Sequence, residues 1–158
     1  MRNWNVKKGN SNKYGAKKTE YKGIVFDSTV ERDRYIYLEH LQAAGKISGL
    51  RRQVKFEIIP KLTKTITIQM KTKIKYVERV VEMAASYTSD FVYKEGDMYV
   101  IEDTKSEYGK MASRDYPLRK KLMVHKIFAH NKRGHGRWMF RESVLSGKTL
   151  EIEDIRDD

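Results

Sequence analysis

The stretch TSDFVYKEGDMYVIEDTKS, residues 88–106, predicts a β-hairpin and decides the fold. Two runs of aromatic and β-branched residues, about 86–93 and 98–105, flank the segment KEGD, whose glycine suits a four-residue loop. A charge in a buried strand costs free energy unless it is paired or binds a metal. The charges in these runs therefore indicate either a surface hairpin or a functional site, and they are Asp90, Glu102, Asp103 and Lys105.

The register of the second strand separates these charges, because side chains alternate between the two faces of a strand. Asp103 and Lys105 are expected on one face, with Glu102 and Thr104 on the other. An antiparallel hairpin also brings Asp90 close to Asp103. We therefore expect Asp90, Asp103 and Lys105 to converge, whereas a shift by one residue would place Glu102 there instead.

The segments around the hairpin predict a mixed α/β fold. Upstream, DSTVERDRYIYLEHLQAAGKI predicts a helix that begins with a capping box of Ser28 and Glu31 and ends at Gly45. Residues 48–60 predict a strand and residues 62–83 one or two long basic strands. Downstream, residues 115–130 predict a basic helix and residues 134–141 a short strand. This order predicts a single sheet flanked by helices.

The distribution of charge divides the 158 residues into three segments. Residues 1–22 carry seven basic residues and one acidic residue without periodicity, and predict a flexible basic arm. Residues 23–141 form the predicted domain, which is as much as a chain of this length supports. Residues 142–158 carry six acidic and two basic residues and predict an acidic tail, with one possible strand at TLEI.

The net charge of +12, from 33 Lys and Arg against 21 Asp and Glu, favours a polyanionic partner such as nucleic acid. A solvated basic surface is the alternative. The chain has no cysteine, which excludes disulfides and thiolate metal sites. We find no signal peptide and no apolar run of membrane-spanning length, so we expect an intracellular, cytoplasmic protein.

The paired carboxylates suggest a metal-dependent hydrolysis of phosphodiester bonds. Mg²⁺ prefers carboxylate oxygens and keeps several waters, and Mn²⁺ is expected to substitute for it. A metal-bound water can attack the phosphorus. Lys105 could orient or deprotonate that water, or neutralise charge on the phosphate. The structural alternative is that Asp103 and Lys105 form a surface ion pair that contributes little.

Asp90 followed by Asp103-Thr104-Lys105 resembles the PD-(D/E)xK signature of the restriction-endonuclease-like nucleases. Position 89 departs from that signature, because it holds Ser and not Pro. The resemblance implies a restriction-endonuclease-like core of αβββαβ order, in which residues 62–83 are a basic β-ribbon insertion. It also implies that Glu31 joins Asp90 and Asp103 as a metal ligand, although Glu31 could simply close the capping box.

More narrowly, KYGAKKTEYKGIVFDSTVERDRY, SDFVY and IEDTKS resemble small phage proteins related to endonuclease I-type Holliday junction resolvases, over about residues 13–130. This resemblance implies a Mg²⁺-dependent structure-selective DNA endonuclease that works as a homodimer. A same-fold nuclease with another DNA substrate and a non-catalytic DNA-binding module remain alternatives. The predicted phosphate contacts are Lys13, Lys17, Lys18, Arg51, Arg52, Lys55, Arg119, Lys120 and Lys121.

Overall fold

A five-stranded mixed β-sheet with one helix on each face forms the centre of the molecule. The computed structural model of the chain describes residues 18–107, 109, 114–134 and 136–157. The elements in chain order are β1 (Thr19–Tyr21), β2 (Ile24–Phe26), α1 (Thr29–Ala43), β3 (Ile47–Ile59), β4 (Leu62–Gln69), β5 (Ile74–Glu82), β6 (Ala85–Glu95), β7 (Met98–Ser106), α2 (Tyr116–Lys132), β8 (Arg137–Ser146) and β9 (Thr149–Ile155).

The central sheet has the strand order β3-β6-β7-β8-β9. Strands β7 and β8 are parallel, and every other neighbouring pair is antiparallel. The parallel pair requires a crossover, and α2 lies in it, as is usual for such a connection. The predicted α/β class, with a mixed central sheet and two helices, is confirmed.

Each face of the sheet is covered by its own apolar cluster, so the central strands are buried on both sides. The cluster on the α1 face contains Leu38, Ile47, Phe91, Tyr93, Val100 and Met139. The cluster on the α2 face contains Tyr87, Val92, Ile101, Tyr116, Met123, Ile127 and Phe140.

Helix α1 begins and ends where its sequence signals predict. The Ser28 hydroxyl accepts a hydrogen bond from the Glu31 backbone N–H at 3.1 Å. Gly45 ends the helix at φ +69°, a conformation that glycine adopts without steric cost. Ile47 then folds back into the apolar cluster beneath α1, where it is buried.

The two ends of the predicted domain differ from expectation. Within the predicted basic arm, Thr19–Tyr21 pairs with Ile24–Phe26 as a β-hairpin, and residues 1–17 lie outside the described residues. The segment predicted as an acidic tail continues the sheet, because β8 runs to Ser146 and β9, which contains the possible strand at TLEI, pairs antiparallel with it. The acidic residues of β9 are compatible with this position, because an edge strand leaves them largely in solvent.

Strands β4 and β5 pair only with each other and form a separate two-stranded ribbon, residues 62–82. The ribbon agrees with the long basic strands predicted for residues 62–83. Among the residues that the structure describes, no helix is long and apolar enough to cross a membrane.

Candidate functional site

The candidate site lies where β6 and β7 separate. These strands pair from Glu95 with Met98 back to Phe91 with Glu102, and no further. Beyond that point β6 remains paired with β3, and β7 remains paired with β8. Asp90 and Asp103 are the first residues past the last pair, so the two strands form a fork with a carboxylate on each branch.

Asp90 is fixed by the neighbouring strand. Its Oδ2 accepts hydrogen bonds from the backbone N–H and from the hydroxyl of Thr104, each at 2.7 Å. The carboxylate therefore takes the place of the strand carbonyl that the Thr104 N–H would otherwise find in β6. These two hydrogen bonds fix the orientation of the Asp90 carboxylate.

Asp103 and Lys105 share one face of β7, as the alternation predicts. Asp103 is only 3% exposed, and its Oδ2 lies 2.7 Å from the Lys105 Nζ. Among the described residues, none donates a well-directed hydrogen bond to this buried oxygen, which instead lies beside the Lys105 ammonium. The carboxylate therefore keeps lone pairs with which it can bind a ligand.

Glu31 reaches the site from the first turn of α1, where it is 4% exposed. Its Oε1 accepts hydrogen bonds from Gln53 Nε2 at 3.0 Å and from Arg52 at 3.3 Å. Its Oε2 accepts one at 3.3 Å from the backbone N–H of Asp27, the residue before the N-cap Ser28. Gln53 Nε2 also lies 3.4 Å from Asp90 Oδ1, so one amide connects Glu31 to Asp90.

Gln53 holds an unusual backbone conformation within β3, with φ +49°. The left-handed region is unfavourable for a residue with a Cβ, and such strain is commonly found at functional sites. The alternation of β3 breaks at this residue: the Arg52 guanidinium stacks on Phe26 at 4.0 Å, whereas Val54 packs in the α2 cluster. The break lets the Gln53 side chain reach both carboxylates, and no local pattern in the sequence predicts it.

Burial and a neighbouring carboxylate change the proton affinity of Asp90. Burial, followed by the negative charge of Asp103, raises the pKa of Asp90 to about 7. Lys105 and the Thr104 N–H oppose that rise. Burial disfavours the charge on Lys105, but Asp103 and Asp90 outweigh it and raise the pKa of Lys105 above its ordinary value. Lys105 is therefore a cation throughout the physiological range of pH.

A second buried carboxylate lies beside Asp103. Glu142 is opposite Asp103 in the parallel register of β7 and β8 and is 0% exposed. It accepts hydrogen bonds from the Tyr116 hydroxyl at 2.6 Å and from Lys120 at 2.8 Å. The Tyr116 ring in turn lies 4.7 Å from the Lys105 Nζ. The prediction of a tail missed Glu142, because MFRESV has no alternation of apolar and polar residues that would extend the predicted strand past residue 141.

Glu102 lies on the opposite face and is occupied by four hydrogen bonds. Arg34 donates two, at 2.6 and 3.3 Å, Tyr93 donates one at 2.6 Å and Ser143 one at 2.5 Å. All three partners belong to the fold on the α1 face of the sheet. The structure thus places Asp103 at the site and Glu102 on the other face of the sheet, as the alternation predicts.

The carboxylates of the site fit a hard divalent cation by their chemistry. Asp90 and Asp103 offer carboxylate oxygens, and Glu31 is connected to them through Gln53. Burial, and after it the negative charge of Asp103, raise the pKa of Asp90, and a bound cation would favour the charged form of this carboxylate. Within the described ranges, no three His, Cys, Asp or Glu side chains already surround one ion position.

The predicted phosphate contacts divide into free and occupied side chains. Arg52 and Lys120 are occupied by the buried acids Glu31 and Glu142. Arg119 pairs with Asp115 at 3.0 Å on the surface of α2. Arg51, Lys55 and Lys121 are exposed. The Lys18 ammonium lies 3.8 Å from the Asp27 carboxylate. Lys13 and Lys17 fall outside the described residues.

The fold and the site define a mixed α/β protein with an acidic, lysine-containing site at a strand fork. The chain belongs to the family described as "Protein of unknown function (DUF1064)", whose model matches residues 11–147. No curated protein matches the chain. A solved structure described as "Crystal structure of SSO0001" is similar with a TM-score of 0.33 and 8% identity, over 80% of this chain and 50% of that chain.

Proposed function

We propose that this protein is a Mg²⁺-dependent DNA endonuclease with a restriction-endonuclease-like core, and that its substrate is branched DNA, most specifically a four-way junction. The observation that carries this proposal is the fork itself. Asp90 and Asp103 lie on diverging strands, Lys105 lies 2.7 Å from Asp103, and Glu31 is connected to Asp90 through Gln53. Acids and a lysine in this arrangement suit the hydrolysis of a phosphodiester.

Asp90 and Asp103 would hold the cation, with Glu31 completing its surroundings. When bound, Mg²⁺ supplies an activated water and stabilises negative charge on the phosphate. Thr104 occupies Asp90 Oδ2, so Asp90 would use Oδ1, which accepts a long hydrogen bond of 3.4 Å from Gln53. Asp103 Oδ2 would be shared between the cation and the Lys105 ammonium. The hydrogen bonds from Thr104 fix the direction in which Asp90 points.

In the metal-free protein Lys105 is a positive charge and not a base. Burial lowers the pKa of Lys105, but Asp103 and Asp90 outweigh it and raise the pKa above its ordinary value, and a protonated amine cannot remove a proton from water. It can donate hydrogen bonds to the attacking water and to the phosphate oxygens, where negative charge develops. The structure thereby favours one of the two functions that the sequence left open for this residue.

A resolvase cuts two strands that are related by symmetry, so the proposal includes a homodimer with a two-fold axis. In such a dimer each subunit would present one fork to one strand of the junction. The dimer is part of the proposal, and light scattering of the purified protein tests it directly.

The test incubates the purified protein with a four-way DNA junction and with a linear duplex of the same sequence, in Mg²⁺ and in EDTA. We expect Mg²⁺-dependent cleavage of the junction that Asp103→Ala abolishes. Asp97→Asn is the matched control, because Asp97 is an exposed acid in the loop at the other end of the hairpin, paired with Arg137. Absence of cleavage would refute the proposal and favour a non-catalytic DNA-binding protein. Equal cleavage by Asp103→Ala would refute the assignment of the active site to the fork.

A further inference from the structure

The ribbon of β4 and β5 extends from the end of the sheet at which the candidate site lies. Strands β3 and β6 pair as far as Ile59 with Ala85, and β4 and β5 continue the same two chain segments beyond that pair. Along β6, Ala85 is about 17 Å from Asp90 at 3.4 Å per residue. Since β7 runs antiparallel to β6, Lys105 lies toward this end of the sheet as well.

The register of the ribbon gives it one basic face. Residues directly opposite each other in an antiparallel pair share a face. Lys64 is opposite Arg79, and Ile68 is opposite Lys75, with Ile66 and Val77 between them. We call this face, together with Lys71 and Lys73 of the connecting turn, the basic face. The part of this face between Lys64–Ile68 and Lys75–Arg79 contains no acid, and Glu82 lies opposite Leu62 beyond the register shift at the base of the ribbon. Glu78 lies on the other face, where it accepts a hydrogen bond from Thr63 at 2.8 Å.

The positive charges of the basic face have no acidic partner within the described part of the chain. The five side chains are exposed and form no ion pair there; they are Lys64, Lys71, Lys73, Lys75 and Arg79. By contrast, the guanidinium groups of Arg34 and Arg141 are each paired with a carboxylate. Like charges directly opposite each other, as Lys64 and Arg79 are, destabilise a strand pair. An external anion would remove that repulsion.

The ribbon contributes little to the remainder of the fold. Apart from each other, β4 and β5 make no extended contact with another described element. An isolated two-stranded ribbon is only marginally stable in water. Its retention as a long, exposed and basic extension is therefore better explained by a partner than by the stability of the domain.

We propose that the basic face of the ribbon lies in the major groove of duplex DNA and contacts the phosphates beside a strand that enters the candidate site. This inference extends the proposed function and rests on DNA being the substrate. The major groove of B-DNA is wide enough for a two-stranded ribbon, whereas that of A-form RNA is too narrow. Ile74, at the tip of the ribbon, is 16 residues from Asp90, so the extended ribbon reaches about 54 Å from Asp90, roughly 16 base pairs.

The experiment measures binding of a duplex DNA of about 30 base pairs by fluorescence anisotropy, in EDTA and across a range of salt. The ribbon variant is Lys64→Gln/Lys75→Gln/Arg79→Gln. Each lost phosphate contact lowers the salt slope by about 0.9, so the three together lower it by about 2.7. At ~0.1 M salt the same counterion effect weakens binding by roughly 10²–10³-fold.

The matched control removes two lysines and an arginine from the opposite end of the molecule, as Lys46→Gln/Lys132→Gln/Arg133→Gln. Lys46 precedes the start of β3, and Lys132 and Arg133 are at the end of α2, near the start of β8. Both variants have the same net charge. We expect the control to keep most of the affinity and of the salt slope.

Three results would overturn the proposal: unchanged binding by the ribbon variant, an equal loss in the control, or an equal loss with duplex RNA of the same sequence. A fourth is dissociation of a dimer by the ribbon variant in light scattering, which would make the ribbon a subunit interface. EDTA removes the metal, so the binding experiment does not depend on DNA cleavage. A failure of the ribbon proposal is therefore distinguished from a failure of the proposed nuclease activity.

Discussion

Replacement of Asp90 by asparagine should stabilise the metal-free protein at neutral and alkaline pH. In the folded protein burial and Asp103 raise the pKa of Asp90 to about 7, from a value of 3.8 in the unfolded chain. The folded state therefore binds this proton more tightly than the unfolded state. The stability that results is fully present below about pH 4 and is lost as the pH rises to about 7.

Asparagine imitates the protonated acid, because its amide oxygen can still accept the two hydrogen bonds from Thr104. The variant and the wild type should thus have similar free energies of unfolding near pH 4. At about 1.4 kcal/mol per pKa unit, the variant should gain up to about 4 kcal/mol by pH 8. Solvent reaches part of this carboxylate, so the value is an upper limit.

Urea unfolding in EDTA, followed from about pH 4 to pH 8, measures this difference. Asp97→Asn is the control, because its carboxylate is largely exposed. Added Mg²⁺ should stabilise the wild type and not Asp90→Asn, since a ligand stabilises only the state that binds it. A variant that is no more stable than the wild type at pH 8, or a gain that does not change with pH, would refute this account of Asp90.

Three further predictions follow from individual contacts. Gln53→Gly should remove the strain of the positive φ and raise the free energy of unfolding in urea by about 1 kcal/mol. The same variant loses the hydrogen bond to Glu31, so its Mg²⁺ affinity in calorimetry should fall. Unchanged Mg²⁺ affinity would contradict the function of Gln53 in positioning Glu31. Lys105→Gln should reduce junction cleavage by at least about 10²-fold with little change in DNA affinity, and equal loss of both would contradict its assignment. Glu102→Gln should destabilise the fold by about 3–5 kcal/mol, because Arg34 would remain buried without its counter-charge; a loss below 1 kcal/mol would exclude that role.

Local patterns predicted the elements whose signals lie within a few residues of each other. The β6–β7 hairpin and the capped start of α1 depend on short-range alternation and on the side chain of Ser28. The alternation also separated Asp103 and Lys105 from Glu102, which the structure places on the other face. The predicted set of three charges, Asp90, Asp103 and Lys105, therefore came from a single hairpin.

The tertiary structure decided what depends on contacts between distant segments. The parallel pairing of β7 with β8 crosses α2, and it places Glu142 beside Asp103 and extends the sheet through β9. Gln53 reaches Glu31 and Asp90 only because the backbone of β3 turns at that residue. Neither effect has a local sequence period from which it could be predicted.

The same distinction applies to the basic residues. The sequence determined how many positive charges the chain has and that they cluster, but a lysine paired with a buried acid looks the same in sequence as a free one. The structure assigns Lys120 to Glu142 and Arg52 to Glu31, and leaves the charges of the ribbon in solvent. Periodicity and capping act between near neighbours, whereas the partner of a charge is set by the packing of the whole chain.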